Sequence, residues 1–274
     1  DSRAAYDGVG PSIYWPAMLS QMEGLSPELI LHVGDLVKNG RDEMEWVSYL
    51  NQLPQTTPLI AVRGNHDRGD FFYKWGFGVA EVFKLDIGAA RIFGLDSEGG
   101  RAEVMARLPE LERLLAEPTE RWKIVYLHRP IWSQGLHGSD ELGLNEALVT
   151  LFDRHHVVLV LSGHDHNYER FCPMRGTSIS RACRPYKEGT TYVVTGGGAT
   201  MPNPFPAIWR RYDERARVLA DTSLSFSGDL HFLELDVTAS NLTFRAHASH
   251  FSSLKSTSSV FDMFSIEREV PSCP

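Results

Sequence analysis

Short apolar runs recur along the chain, and four of them are followed by a glycine or a polar residue. These runs lie at residues 29–33, 58–62, 123–127 and 157–161. Apolar runs of this length between turn residues predict buried strands of a sheet that is covered on both faces. Residues just past the carboxyl ends of such strands face the crevice in which open α/β sheets bind ligands. The pattern therefore predicts that residues which bind a ligand follow the four strand ends.

Between these runs, apolar residues recur at helical spacing. This spacing predicts helices at about 12–23, 42–53, 101–117 and 141–154. Alternation and turn residues predict strands at 81–87, 90–95 and 191–195, and a final hairpin at 230–237 and 242–248. No repeat or linker divides the chain, so we expect one domain over residues 1–274, with antiparallel strands late. The long loop 201–228 is either a substrate lid or a packed surface excursion.

Composition narrows the class of protein. The chain has 274 residues, of which 42% are apolar and 23% are charged, as is typical of a globular protein. Its net charge of −8 argues against a surface that binds nucleic acid. No apolar run is long enough to span a membrane. Cys172 and Cys183 flank a polar loop, and they either form a disulfide in an oxidising compartment or remain two reduced thiols.

The residues at the strand ends are of types that bind metal ions. In chain order they are Asp35, then Asn65, His66 and Asp67, then His128, and finally His164 with His166. One histidine at a strand end more often has a structural role, but four such strands meeting at one sheet edge favour a metal centre. Oxygen and nitrogen ligands of this mix suit Zn, Mn or Fe, and a carboxylate can bridge two ions. Two neighbouring ions stabilise the attacking and leaving oxygens of a phosphoryl displacement.

The order of these blocks resembles the signature of the calcineurin-like metallophosphoesterases. The blocks are Gly34-Asp35, Gly64 to Asp67, His128 and Gly163 to His166, and the resemblance extends from Asp1 to about Ala248. It implies an α/β fold of the metallophosphoesterase type, a four-layer α/β/β/α sandwich with two central mixed sheets. Three further features resemble the purple acid phosphatase branch: His137 nine residues after His128, the stretch His164 to Arg170, and Thr195 to Ala199.

The resemblance implies a ligand set for two divalent ions (Mn, Zn or Fe). Asp35 would bridge the two ions. One ion would be completed by Asn65, His128 and His164, and the other by Asp1 and His166. Asp1 would be the remainder of a first block whose glycine and strand lie upstream of residue 1. The alternative is that Asp1 is a frayed terminus.

The placement of residues beside these ligands also predicts catalytic roles. His66 would protonate the leaving oxygen or bind phosphate, Asp67 would orient it, and His137 would share either role. Arg129 either contacts phosphate or is a solvated surface arginine. Tyr168, Glu169 and Arg170 are expected to hold the metal-binding loop in shape.

Two residues depart from the family pattern. Arg3 stands where most of the broad family has a histidine, and Lys38 stands where the purple enzymes have a tyrosine ligand. Without that phenolate there is no charge-transfer colour. Both departures affect the same ion, so we expect its site to be the weaker one.

Together these features predict a secreted or periplasmic enzyme that uses two divalent ions to hydrolyse a small phosphoester. A phosphomonoesterase acting through a metal-activated hydroxide is the main interpretation. A phosphodiesterase acting on cyclic nucleotides or phospholipid headgroups is the enzymatic alternative. A phosphate-binding module with a decayed second metal site is the non-enzymatic one. The sequence leaves the substrate, the oligomeric state and the identity of the metals open.

Overall fold

The computed structural model describes residues 1–3, 11–54, 56–74, 76–177, 183–200, 222–252 and 256–268. The helices of these residues are α1 (Trp15–Glu23), α2 (Glu43–Leu50), α3 (Phe71–Lys74), α4 (Arg101–Leu115) and α5 (Asn145–Arg154). The first strands are β1 (Ile30–His32), β2 (Leu59–Ala61), β3 (Val82–Ile87), β4 (Ala90–Leu95), β5 (Trp122–Leu127) and β6 (Leu159–Ser162). The later strands are β7 (Tyr168–Phe171), β8 (Thr191–Thr195), β9 (Ser223–Ser227), β10 (His231–Val237), β11 (Asn241–Phe251) and β12 (Ser256–Glu267).

A seven-stranded mixed sheet, with strand order β3-β4-β5-β6-β8-β7-β9, forms one inner layer. Its centre, β4-β5-β6-β8, is parallel, whereas β3 pairs antiparallel at one side and β7 and β9 do so at the other. Every residue of β4 and β8 is buried, as expected for strands that are covered on both faces. The parallel strands β5 and β6 therefore end at the same edge, which places His128 and the loop after Ser162 side by side.

The second inner layer consists of two pieces. β1 and β2 form a parallel pair, and β10, β11 and β12 form an antiparallel sheet. A cavity of about 440 Å³ is lined by β1 and β10 and, from the seven-stranded sheet, by Ile92, Ile124 and Leu161. The layer thus contains both parallel and antiparallel pairs, but its two pieces are not joined by strand pairing within the described residues.

Helices cover the outer faces of both inner layers. Side chains of α1 and α2, among them Trp15 and Trp46, pack with β1 and β2 in one apolar cluster. Side chains of α4 and α5, among them Leu111 and Phe152, pack on the seven-stranded sheet in another. A third cluster, with Tyr126 and Phe244, lies between the two inner layers. This order of layers confirms the predicted four-layer α/β/β/α sandwich.

Several elements differ from the sequence prediction. β7, β9 and β12 were not predicted as strands, because they are short, or rich in serine and threonine, and lack a long apolar run. The helix expected from residue 141 begins at Asn145, since Glu141 belongs to the preceding loop. Most of the predicted loop 201–228 lies outside the described residues, except that Ser223–Ser227 form β9.

Cys172 and Cys183 form a disulfide with a Cα–Cα distance of 5.4 Å. Of the two alternatives left open by the sequence, the structure therefore has the bridge. Within the residues that the structure describes, no helix combines the length and apolar character that a membrane crossing requires.

Candidate metal centre

The loops that follow β1, β2, β5 and β6 meet at one end of the sandwich, and glycines let their backbones touch. A Cβ atom on Gly64 would lie 2.2 Å from the backbone nitrogen of Asp35, and one on Gly34 would lie 2.8 Å from the nitrogen of Gly64. Asp35 and His164 adopt positive φ angles of 55° and 69°, a region that costs free energy for residues other than glycine. The tight contact of these loops thus fixes where the polar side chains start.

Asp35 lies at the middle of the centre. Its Oδ1 accepts a hydrogen bond from the His66 amide at 2.8 Å and lies 3.5 Å from His128 Nε2. Burial opposes ionisation of this carboxyl, but the imidazoles of His128 and His66, the His66 amide and Arg3 outweigh it and hold the pKa of Asp35 below its usual range. Asp35 is therefore a buried carboxylate shared by the groups on either side.

On one side, three acceptor atoms face one another. His128 Nε2 lies 3.0 Å from Asn65 Oδ1 and 3.5 Å from Asp35 Oδ1. The Nδ1–H of His128 donates to the Val33 carbonyl at 2.8 Å, which leaves a lone pair on Nε2. Burial lowers the pKa of His128 to about 3, so the ring stays neutral near pH 7. A neutral imidazole, an amide oxygen and a carboxylate form a donor set that fits a divalent cation.

On the other side lies the group of Asp1, Asp35 and His166, whose ligand atoms are within 4.8 Å of one another. Asp1 Oδ2 is 3.4 Å from His166 Nε2, and among the described residues this buried oxygen has no hydrogen-bond donor. Asp1 Oδ1 accepts a hydrogen bond from the His164 amide at 3.3 Å. An orphaned carboxylate oxygen facing an imidazole nitrogen also fits a cation.

Arg3 lies within this second group. Its Nε is 3.4 Å from Asp35 Oδ2, and its Nη2 is 3.3 Å from His166 Nε2. The side chain is only 18% exposed. The guanidinium thus contacts two of the three ligands that the sequence assigned to the second ion.

His164 contacts both its predicted neighbour His128 and a second set of residues. Its ring lies 5.0 Å from that of His128, as expected for neighbouring ligands. Its Nε2, however, donates to Glu141 Oε2 at 3.0 Å, and its ligand atoms group with those of His137 and Glu141. The rings of His164 and His137 are 3.8 Å apart. The structure therefore brings His164 and His137 together, with the exposed Glu141 bonded to the buried His164.

Glu141 was not predicted as a site residue, because its position was assigned to the start of a helix. It bonds to both His164 and Arg129, and these contacts lower its pKa to about 2, with the His164 hydrogen bond contributing most. Arg129 also holds Glu98 through two hydrogen bonds of 2.9 and 3.1 Å. Arg129 is therefore engaged with two carboxylates at the rim rather than being a freely solvated surface residue.

The predicted pairing of Asp67 with His66 is wrong. Asp67 is fully buried, and its carboxylate accepts from the backbone amides of Leu36, Val37 and Gly64 at 2.9 to 3.2 Å. Burial, together with the charge of Asp35, raises the pKa of Asp67 well above its usual value. His66 is oriented instead by its Nδ1–H, which donates to the Lys38 carbonyl at 2.7 Å. Asp67 thus ties the two loops together and does not hold the imidazole.

The loop that carries His137 is held by two buried carboxylates. Asp165 accepts from the His137 amide at 2.8 Å and from the Ser133 hydroxyl. Glu169 accepts from the backbone and side chain of Gln134 at 2.8 and 2.6 Å. Burial raises the pKa of Glu169 to about 7.

The residues beside Glu169 have a different role. Tyr168 and Arg170 both bond to Asp262 on β12, at 2.5 and 2.7 Å. The expectation that all three residues hold the metal-binding loop in shape stays a prediction, since these hydrogen bonds join Glu169 to the loop 133–138 and the other two residues to β12. The other two connect the seven-stranded sheet to the second inner layer.

Comparison with known proteins agrees with this geometry. A family model described as calcineurin-like phosphoesterase matches residues 14–168. An Arabidopsis thaliana protein named probable inactive purple acid phosphatase 24 is 27% identical over an alignment that covers 88% of this chain and 43% of the relative. A nucleotide pyrophosphatase/phosphodiesterase from Hordeum vulgare is 26% identical over 73% of this chain and 68% of its own length.

The fold also matches a solved structure. A purple acid phosphatase from yellow lupin (Lupinus luteus) seeds superposes with a TM-score of 0.73 at 23% identity, covering 96% of this chain and 50% of that one. The chain spans half or less of the length of the Arabidopsis and lupin proteins. These matches confirm the predicted resemblance, including the purple acid phosphatase branch, and the fold class.

Proposed function

Since this chain belongs to the calcineurin-like phosphoesterase family, we propose that it hydrolyses small phosphate monoesters at the centre around Asp35. The observation that supports the proposal is the convergence of His128 Nε2, Asn65 Oδ1 and Asp35 Oδ1, three acceptors that a bound cation would satisfy. Asp1 and His166 add a second group of ligand atoms beside Asp35. The family is metal-dependent, and these donor types suit Mn, Zn or Fe.

Divalent ions, when bound, lower the pKa of water toward neutrality and neutralise charge on the phosphate oxygens. The chain supplies the remaining functions. His66 gives a proton to the leaving oxygen, and its Nδ1–H bond to the Lys38 carbonyl assigns that exchange to Nε2. His137, whose ring packs against that of His164 and whose backbone amide bonds to Asp165, assists in holding the substrate phosphate.

The protein is proposed to act in an oxidising compartment, either outside the cell or in the periplasm. The support is the Cys172–Cys183 disulfide, since such bonds persist where thiols are not kept reduced. The Arabidopsis and barley relatives do not decide between monoesters and diesters, because one is named for a phosphatase and the other for a phosphodiesterase.

A phosphate-binding module without turnover is the second candidate. Arg3 favours it, because its guanidinium contacts Asp35 and His166 in the second group. The Arabidopsis relative, whose name calls it probably inactive, points in the same direction.

The deciding experiment is to measure metal content per chain together with rates on p-nitrophenyl phosphate and bis(p-nitrophenyl) phosphate. We expect bound divalent metal and faster hydrolysis of the monoester. A faster rate on the diester would replace the monoester proposal with a phosphodiesterase. Bound metal with phosphate binding and no hydrolysis of either ester would leave the phosphate-binding module.

A further inference from the structure

The position of Arg3 has a consequence for the number of ions that the centre holds. The guanidinium contacts Asp35 Oδ2 and His166 Nε2, and both atoms belong to the group whose third member is Asp1. Arginine keeps its charge at any pH that the fold tolerates. The second group therefore already contains a cation that is covalently part of the chain.

The contacts of Arg3 and those of a metal ion exclude one another. The lone pair of His166 Nε2 that accepts from Arg3 Nη2 is the one that a metal ion would use. The charge of Asp35 that Arg3 compensates is the charge that attracts the ion. Two cations at this spacing also repel, and they do so more strongly in a buried site than in water.

The other group shows the contrast. There His128 Nε2 faces Asn65 Oδ1 and Asp35 Oδ1, which are all acceptors once the His128 Nδ1–H has donated to Val33. Among the hydrogen bonds and ion pairs found in the described ranges, no side-chain cation contacts the His128 ring or the Asn65 side chain; the Arg68 guanidinium bonds to the backbone carbonyl of Asn65 instead. A cation between these three acceptors would consequently have to come from solution.

We propose that Arg3 is a resident cation of the second group, so that this chain binds one divalent ion tightly and a second only by displacing the guanidinium. The first ion is held by Asn65, His128 and Asp35. The second requires Asp1, Asp35 and His166 after Arg3 has moved away. The inference rests on the proposed function in that both need a metal ion in the first group.

The test is a metal titration that does not depend on activity. Chelator-treated protein is titrated with Mn²⁺ by calorimetry, and metal per chain is counted by mass spectrometry after desalting. For the wild type we expect one ion per chain after desalting, and a second-site Kd at least about tenfold weaker than the first. Arg3→Gln removes the charge with little loss of volume and should strengthen the second site at least about tenfold, giving two ions per chain.

Two further variants complete the design. Arg3→Lys keeps the charge and should keep the weak second site, which separates the effect of charge from that of a disturbed loop. Arg41→Ala removes an exposed arginine from the loop after β1 and should titrate like the wild type. Thermal unfolding of each variant confirms that the folded protein is being titrated.

The inference is overturned if the wild type holds two ions of equal affinity, or if Arg3→Gln leaves the second site unchanged while the first still binds. Absence of any Mn²⁺ binding in both the wild type and Arg3→Gln would instead overturn the proposed function, and this inference with it. The two failures are thus told apart by the first binding step.

Discussion

The two sides of the centre share Asp35 but compensate its charge differently. The first group, Asn65 and His128 with Asp35, presents acceptors to one another. The second group, Asp1 and His166 with Asp35, presents acceptors to Arg3. A set of ligand atoms therefore does not by itself determine whether an ion binds. What also matters is whether a positively charged side chain of the protein already compensates the charge of those atoms.

The largest effect should come from the residue that both groups share. Asp35→Asn removes the charge that attracts an ion to either group, and we expect turnover to fall about a thousandfold or more. Metal per chain should fall below one. Rates on p-nitrophenyl phosphate and metal analysis after desalting check this. Asp70→Asn, an exposed aspartate in the loop after β2, is the matched control and should behave like the wild type. Near-normal turnover of Asp35→Asn with unchanged metal content would contradict the proposal that Asp35 holds the catalytic ion.

The difference between the two groups predicts that His128 and His166 contribute unequally to turnover. His128→Ala should lower turnover about a hundredfold or more and release the tightly bound ion, because it removes a ligand of the first group. His166→Ala should cost less than about tenfold, because Arg3 already compensates that side. Parallel measurement of metal content and kcat for the two variants decides the matter. Equal losses would show that both groups hold ions of equal importance.

A catalytic residue outside both groups gives a third contrast. His66→Ala should lower kcat about a hundredfold through loss of proton transfer, with metal per chain unchanged. The dependence of kcat on leaving-group pKa should become steeper, because good leaving groups do not need the proton. Loss of the bound ion in this variant would instead make His66 a ligand of the first group.

Glu169, which holds the loop that carries His137, should make the stability of the fold depend on pH, rather than the binding of ions. The raised pKa of Glu169, about 7 against an ordinary 4.5, means that the folded state binds its proton more tightly than the unfolded chain does. Its stabilising contribution is full below about pH 4.5 and is lost as pH rises through about 7, amounting to on the order of 3 kcal/mol. Glu169→Gln should flatten the thermal midpoint between pH 5 and 8 and be more stable than the wild type at pH 8. An unchanged slope would mean that Glu169 is ionised in the folded protein throughout.

The smallest expected effect concerns the visible absorption spectrum of the purified protein. With Lys38 in the position of the phenolate ligand, the purified protein should show no strong visible absorption band, whatever iron it holds. Lys38→Tyr loaded with Fe(III) is the comparison and should develop one. A purple wild type would mean that another tyrosine reaches the second group.

The strand ends were predictable because each strand and the polar residue that follows it are neighbours in the sequence. An apolar run followed by Gly34-Asp35 or by His128 marks both a buried strand and its first exposed side chain, and parallel strands then bring those ends together. The boundaries of β4 and β8 followed from the turn residues beside them, Gly88-Ala89 before β4 and Gly196 after β8. β12 escaped prediction because serines and threonines fill much of it.

The partners that compensate or orient the charged and polar side chains of the site were not predictable from the sequence. Glu141 reaches His164 only because the loop before α5 folds back over the site. The partner of His66 is the Lys38 carbonyl, and a backbone atom leaves no residue-type signal in the sequence. Asp67 was assigned to His66 because the two are adjacent, whereas its carboxylate accepts from amides of the neighbouring loop and of its own loop. The sequence identified Arg3 as a departure, but only the structure shows which acceptors it contacts.

The glycine contacts between the loops have an evolutionary consequence. Because Gly34 and Gly64 bring these loops together through the backbone, and Asp67 bonds to backbone amides of both, the frame of the centre does not depend on which side chains occupy the ligand positions. Positions such as 3 and 38 are therefore free to diverge by single substitutions while the fold persists. Such a frame allows a lineage to exchange metals, lose turnover or regain it in few mutational steps. Within the family, the fold is then retained more often than the catalytic activity.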